Sequence, residues 1–170
     1  MELERELRHQ TEDLAALDRK TLDAITGGDS FCYVVISQRP DGIVALMFLH
    51  QGNAPLYDVT ARLFDLDRYE EKKDSLPIGE AFAYAGTNLS IGTIGTGHAV
   101  ERGQIPLKSF PTRGYNIFFA ARNGFFHELL RLKKVDGVWT QALKVIRDER
   151  VIFEKIDPDF PIGSDGSVAW

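Results

Sequence analysis

The first 25 residues carry their apolar side chains at helical spacing. At 100° per residue, positions 2 to about 25 place the larger apolar residues within a stripe about 140° wide. The stripe contains Leu3, Leu7, Leu14, Leu17, Leu22, Ala24 and Ile25. Acidic residues at the start, basic residues near the end and two glycines after it fit the polarity and the end of a helix. The sequence therefore predicts an amphipathic helix in the segment 1–28.

This helix also carries a partial coiled-coil seam. Alternating steps of four and three connect Leu3, Leu7, Gln10, Leu14, Leu17, Thr21 and Ala24, of which three are polar or small. Self-association through the helix and docking of the helix on the rest of the chain both fit this pattern. The candidate interface residues are Leu3, Leu7, Leu14, Leu17 and Ile25.

After Gly28 the period changes to that of β-strands. Runs at 31–37, 43–50, 57–66, 115–122, 125–134, 138–147 and 150–156 predict strands, and 88–94 and 105–109 predict weaker ones. The dipeptides Asp41-Gly42, Asn123-Gly124 and Asp136-Gly137 predict tight hairpin turns, because glycine accepts positive φ without a Cβ clash. The stretch 67–77 is highly charged and predicts a loop with at most one helical turn.

Seven to nine short strands with a turn about every ten residues, and no helices between them, favour a sandwich over a parallel α/β fold. We expect a mainly β protein, an immunoglobulin-like antiparallel β-sandwich carrying an N-terminal amphipathic helix. A barrel is the alternative. The sandwich domain would occupy 29–157, and the proline- and glycine-rich segment 158–170 would form a C-terminal tail.

Three of the strands are apolar on both faces. The runs 31–36, 43–49 and 117–121 do not alternate with polar residues, as strands with one solvated face do. One face would be covered by the opposite sheet. The other would be covered by the helix, by a second copy of the chain or by a binding partner.

Composition narrows the classes of partner and compartment. The net charge of −5 disfavours a nucleic-acid partner and an anionic membrane surface. The single cysteine, Cys32, allows no internal disulfide and lies in an apolar run that predicts a buried thiol. No stretch reaches the roughly 20 apolar residues of a membrane span. These features predict a cytoplasmic chain, or an extracytoplasmic or membrane-attached one if an N-terminal anchor was removed.

Signatures of catalysis and of cofactor binding are absent from the sequence. The four histidines share no spacing known from metal sites with each other or with Cys, Asp or Glu. The glycine-rich stretch at 92–97 mimics a phosphate loop, but no helical pattern follows it, so a bulge or turn is the better interpretation. We therefore expect no cofactor and no enzymatic activity, with a hydrolase as the least favoured alternative.

One set of polar residues is a candidate ligand site. Threading the strands up and down brings several loops to one end of the sandwich, where they would form a polar rim for a small ligand or a partner's carboxylate. The rim residues are His50, Asn53, His98, Glu101, Arg102 and Arg122.

Three segments of the chain resemble a known type of module. TGGDSFCY (26–33), PLYDV (55–59) and ARNGFFHELLRL (121–132) followed by Trp139 resemble a module of uncharacterised bacterial proteins. There, a helix or membrane anchor precedes an immunoglobulin-like β-sandwich. The resemblance covers most of the chain and implies this fold but no activity, and the present sequence lacks a visible anchor.

These observations favour a non-enzymatic binding or scaffolding module. It would form a homo-oligomer or dock a protein partner through its helix and its apolar sheet surface. The alternative is a small-ligand sensor domain that uses the polar rim.

Overall fold

The N-terminal helix is the first element of the fold. A computed structural model describes residues 2–107 and 110–170, and helix α1 spans Glu2–Thr26. Gly27 and Gly28 follow with φ of 99° and 51°, a backbone region that stops a helix and that glycine enters without steric cost. The expected N-terminal helix is confirmed.

Within the described residues, nine strands and two short helices follow α1. The strands are β1 (Phe31–Gln38), β2 (Val44–Gln51), β3 (Leu56–Asp65), β4 (Gly86–Ile94), β5 (Ala99–Ile105), β6 (Thr112–Ala121), β7 (Gly124–Val135), β8 (Val138–Arg147) and β9 (Arg150–Ile156). Helices α2 (Leu66–Lys72) and α3 (Ile78–Ala85) lie between β3 and β4.

The strands form two antiparallel sheets. The smaller sheet has the order β1-β2-β5, and the larger has the order β4-β3-β6-β7-β8-β9. Side chains from both sheets meet in one core, where Phe48 of β2 packs edge-on against Phe119 of β6 at 6.3 Å. The expected antiparallel β-sandwich with an N-terminal helix is therefore confirmed.

The meander from β6 to β8 follows the turn signals in the sequence. Ala121 pairs with Gly124 across the Asn123-Gly124 turn, and Val135 pairs with Val138 across Asp136-Gly137. Gly124 and Gly137 have φ of 116° and 82°, the conformation that makes glycine favourable in such turns. The inner faces of these three strands contribute Ile117, Leu130 and Leu143 to the core.

The segment between β3 and β4 differs from the sequence prediction. We expected no helices within the sandwich, but α2 and α3 are both present, and Asp65 caps α2 by accepting from the Arg68 backbone N–H at 3.0 Å. Phe64 of β3 packs on Phe82 of α3 with ring centroids 5.1 Å apart. The two helices thus cover one corner of the larger sheet.

The strand expected at 105–109 is displaced toward the N-terminus. Strand β5 ends at Ile105, residues 106–107 are not in a strand, and 108–109 lie outside the described residues. The glycine-rich stretch at 92–97 ends β4 and turns into β5 rather than into a helix. A register irregularity opposite Gly92, whose φ is 86°, agrees with the bulge expected there.

The C-terminal segment, expected as a tail, has no helix or strand but is packed. Phe160 and Val168 are buried together with Ala142 of β8, and Trp170 packs against this small cluster. Lys144 of β8 lies over the Trp170 ring at 4.4 Å. The segment therefore covers part of the outer face of the larger sheet near β8.

The apolar runs are covered unequally. Phe31 and Tyr33 of β1 contact Phe153 of β9, and Cys32 is fully buried on the opposite face of the strand. Both faces of β1 are thus covered by the sandwich itself. By contrast, Phe118 of β6 points away from the core and is 49% exposed.

Candidate interaction surface

Helix α1 exposes its apolar stripe along its whole length. No residue of α1 is buried, and the exposed fractions run from 58% at Ile25 to 81% at Leu3. The large apolar residues concerned are Leu3, Leu7, Leu14, Leu17, Leu22 and Ile25. An exposed apolar stripe of this kind indicates a surface for another molecule, because water contact with it is unfavourable.

The end of α1 is held by side chains from the larger sheet. The Tyr57 hydroxyl donates to the Ala24 carbonyl oxygen at 2.8 Å, and Arg122 Nη1 donates to the Ile25 carbonyl oxygen at 3.0 Å. Arg122 also pairs with Asp58 at 2.9 Å and lies over the Tyr57 ring. These contacts satisfy carbonyls that a helix end leaves open, and the guanidinium charge faces the negative end of the helix dipole.

The link after α1 is fixed by three further side chains. Asn123 Nδ2 donates to the carbonyl oxygens of Gly28 and Ser30, and Arg147 donates to those of Asp29 and Ser30. The buried Ser30 hydroxyl donates to the Ala54 carbonyl oxygen at 2.7 Å. The link is therefore part of the sandwich, and the C-terminal end of α1 is attached to a rigid base.

Docking of α1 on its own sheet, one of the two alternatives from the sequence, is not what the structure contains. A docked amphipathic helix buries its apolar stripe, whereas that of α1 is exposed. At the junction, Tyr57 and Arg122 bind the last-turn carbonyls of α1, and the large apolar side chains of the stripe stay more than half exposed. Helix α1 is not the cover of Phe118.

The predicted rim is divided. The backbone N–H of His50 donates to the His98 carbonyl oxygen at 3.0 Å, and Arg122 and Asn53 lie beside the junction with α1. Glu101 and Arg102, expected in a loop, belong to strand β5 instead. Glu101 pairs with Arg39, and Arg102 donates to the Glu101 carbonyl oxygen.

Both ring nitrogens of His50 contact backbone groups of the fold. Its side chain is buried, Nε2 lies 2.7 Å from the Ala54 carbonyl oxygen, and Nδ1 accepts from the Gly97 N–H at 3.3 Å. Both ring nitrogens thus hold neighbouring loops in place. A ligand role for the rim stays a prediction, centred on Asn53, which lines a cavity of about 550 Å³ with Lys20, Asp23 and Asp29.

A carboxyl group lies in the core between the sheets. Glu128 of β7 is fully buried and its Oε2 accepts from the Val34 N–H of β1 at 2.7 Å, while Oε1 has no partner among the described residues. Burial raises the pKa of the Glu128 carboxyl well above its ordinary value, and the hydrogen bond from Val34 offsets this only in part. The group therefore joins β1 to β7, and its burial favours the uncharged form.

A second cavity lies at the other end of the sandwich, beside α2. It measures about 210 Å³ and is lined by apolar side chains from both sheets together with Asp65, Arg68, Arg113 and Tyr115. Arg113 is buried and donates to Asp65 at 3.2 Å, but its Nε has no partner among the described residues. Sequence reasoning missed this place, because the two strands that carry Asp65 and Arg113 are 48 residues apart.

Metal and membrane elements are not found in residues 2–107 and 110–170. These residues contain no group of three or more His, Cys, Asp or Glu side chains placed to hold a metal ion. None of their helices combines the length and apolar character that a membrane crossing needs.

Comparison of the chain with protein-family models, with curated proteins and with solved structures found no match.

Proposed function

We propose that this protein is a non-enzymatic assembly module that self-associates through the apolar stripe of α1. The observation that carries the proposal is the exposure of six large apolar side chains on one side of a helix whose last turn is fixed to the sandwich. A fixed base keeps the helix in one orientation, which lowers the entropy lost when a partner binds.

The charge of α1 narrows the kind of partner. Between residues 2 and 26 the helix has seven acidic and four basic residues, a net charge of −3. Helices that lie on anionic membranes carry an excess of Lys and Arg on the polar face. A protein surface is therefore the better partner for the stripe than a lipid surface.

The experiment compares two glutamate substitutions in α1 by light scattering. Leu14→Glu places a charge in the stripe, whereas Ala16→Glu places the same charge on the opposite side of the helix. Glutamate, which both substitutions introduce, is a good helix former, so the helix content measured by circular dichroism should not change. We expect Leu14→Glu to reduce the average mass toward that of one chain and Ala16→Glu to leave it unchanged. Equal masses for both variants would contradict the proposal.

A second candidate function is the binding of a small organic acid in the cavity beside α2. The specific support is the buried, unpartnered Nε of Arg113, a charged donor, with Arg68 lining the same space. A thermal-shift screen with small carboxylic acids tests it. Stabilisation that is lost in Arg68→Gln and kept in Arg102→Gln would support this function, and no stabilisation by any acid would count against it.

A further inference from the structure

The outer face of the larger sheet has an uncovered strip. The strand register places Asn88, Arg62, Phe118, His127, Ile146 and Val151 side by side in one row across all six strands. We call this row, with the adjacent Phe125, the outer strip. Phe118 is 49% exposed, Val151 54% and Phe125 80%, and the Phe118 ring stacks on His127 at 6.0 Å.

Neighbouring parts of the fold border the strip without covering it. Helices α2 and α3 pack beyond it around Phe64, and the C-terminal segment packs beyond it on Ala142. Next to Phe118 and Phe125 the surface is concave, with a cavity of about 520 Å³ at β3, β4 and β6. The strip thus combines the apolar side chains of Phe118, Phe125, Ile146 and Val151 with polar ones, and it is concave where β3, β4 and β6 meet. Nothing among the described residues covers it.

The strip and the stripe of α1 match in length. Five steps between adjacent strands give the strip a length of about 24 Å. The stretch of helix from Leu7 to Ile25 rises about 27 Å. One helix of this chain is therefore long enough to cross all six strands.

Charge also matches between the two surfaces. Helix α1 carries a net charge of −3. Arg62 lies in the strip and Lys144 faces outward next to it on β8, while Arg131 and Lys133 face outward farther along β7. Lys133 and Lys144 also lie over the Phe160 and Trp170 rings of the C-terminal segment. On β9, Glu154 faces Lys144. The acidic flanks of α1 would thus meet a mainly basic sheet face, an arrangement that favours association of this pair of surfaces.

We propose that the stripe of α1 lies on the outer strip of a second copy of this chain, and that the two copies exchange helices reciprocally. The inference rests on the proposed self-association and specifies its geometry. A reciprocal exchange has two-fold symmetry and covers both apolar surfaces of each copy.

Interface size favours the exchange over a simple helix pair. The exchange would place the seven residues of the stripe and the seven of the outer strip of each copy in the interface, 14 in all. Two helices packed only on each other would bury the seven residues of the stripe alone and leave the outer strip uncovered. A width of about 140° also exceeds a strict coiled-coil seam and suits a sheet surface.

Cysteine cross-linking tests the geometry. Two full-length chains with different tags, one with Leu14→Cys and one with Phe118→Cys, are co-expressed, purified through both tags and oxidised. The native Cys32 is fully buried and does not compete. We expect a cross-link between the two chains at a yield several times that of a matched pair in which Ala16→Cys, on the polar side of α1, replaces Leu14→Cys.

The other outcomes are distinguishable. Cross-linking mainly between two copies that both carry Leu14→Cys would show a helix pair, which overturns the exchange but leaves self-association in place. A Leu14→Cys, Phe118→Cys double variant that closes a bond within one chain would show a helix folded onto its own sheet, and this also overturns it. A dimer in which Leu14→Cys forms none of these cross-links would also overturn the exchange. A chain that is monomeric throughout would remove both the exchange and the proposed function.

Discussion

Arg122 donates from Nη1 to the carbonyl oxygen of Ile25 at 3.0 Å, and so ties the turn between β6 and β7 to the last turn of α1. The same guanidinium pairs with Asp58 and lies over Tyr57. Since Tyr57 itself donates to the Ala24 carbonyl oxygen, Arg122 both binds α1 directly and contacts a second side chain that holds it.

Replacing Arg122 should loosen the base of α1 while the sandwich stays folded. We expect Arg122→Ala to lower the free energy of unfolding by about 1 kcal/mol, since the group is partly exposed and its ion pair is screened by water. Amide hydrogen exchange at residues 22–28 should accelerate. The matched control is Arg102→Ala, whose guanidinium donates to the adjacent Glu101 carbonyl oxygen. Equal exchange in both variants would show that Arg122 does not hold the helix.

Gly52 makes a close contact beneath the junction. A Cβ at this position would lie 2.4 Å from Ser30 Oγ and 2.7 Å from Ser30 Cα, at a φ of 124°. Gly124 has a similar φ of 116° but open space around it. We expect Gly124→Ala to cost about 1–2 kcal/mol from backbone strain alone, and Gly52→Ala to cost more because the link at Ser30 must move. Urea unfolding of the two variants measures the difference, and equal costs would contradict the contact.

Glu128 should make stability depend on pH. A carboxyl whose pKa is raised by folding binds its proton more tightly in the folded state. The contribution of Glu128 to the free energy of unfolding is therefore complete below the ordinary carboxyl pKa of about 4.3 and decreases as the pH rises above that value.

The substitution Glu128→Gln isolates this effect. Glutamine keeps an oxygen acceptor for the Val34 N–H and cannot ionise, so the variant should lose stability less steeply than the wild type between weakly acidic and alkaline pH. Glu154→Gln on the exposed strand β9 is the control. The measurement is urea unfolding across the pH series, and parallel curves for wild type and Glu128→Gln would contradict a raised pKa of the Glu128 carboxyl.

Cys32 should be chemically silent in the native protein. It is fully buried, and burial raises the pKa of its thiol, chiefly by desolvation and further through Glu128, so little thiolate forms. A thiol reagent should react slowly with the native chain and at once in urea. Fast labelling without denaturant would contradict the burial of β1 and would also weaken the cross-linking design.

Local signals explain the parts of the fold that the sequence predicts well. The Asn123-Gly124 and Asp136-Gly137 turns need positive φ at glycine, so they fix the register of β6, β7 and β8 without help from distant residues. The stripe of α1 repeats over seven turns, which separates it clearly from a strand pattern.

Short or non-local features explain the parts that were missed. Helix α3 has only eight residues, rich in alanine and aromatics, and Pro77 before it and Glu80 in its first turn were the available signals. The partition of the strands into three and six depends on contacts between distant segments. For the same reason the sequence placed Glu101 beside His50, whereas the structure pairs it with Arg39.

The apolar stripe of α1 also follows from the sequence, but the outer strip that we propose as its partner does not. The positions of Leu7, Leu14 and Leu17 define a stripe from spacing alone, whereas the strip that includes Phe118 and His127 exists only once five strand pairings are known. A complementary pair of surfaces thus becomes visible only in the folded chain.

Sedimentation equilibrium of the unmodified chain over a wide range of concentrations tests the central claim most directly. The account predicts a concentration-dependent mass that approaches twice the 19.1 kDa of one chain, because the stripe of α1 is buried between copies. A mass of one chain at every concentration, with the leucines of α1 still exposed to solvent, would contradict it.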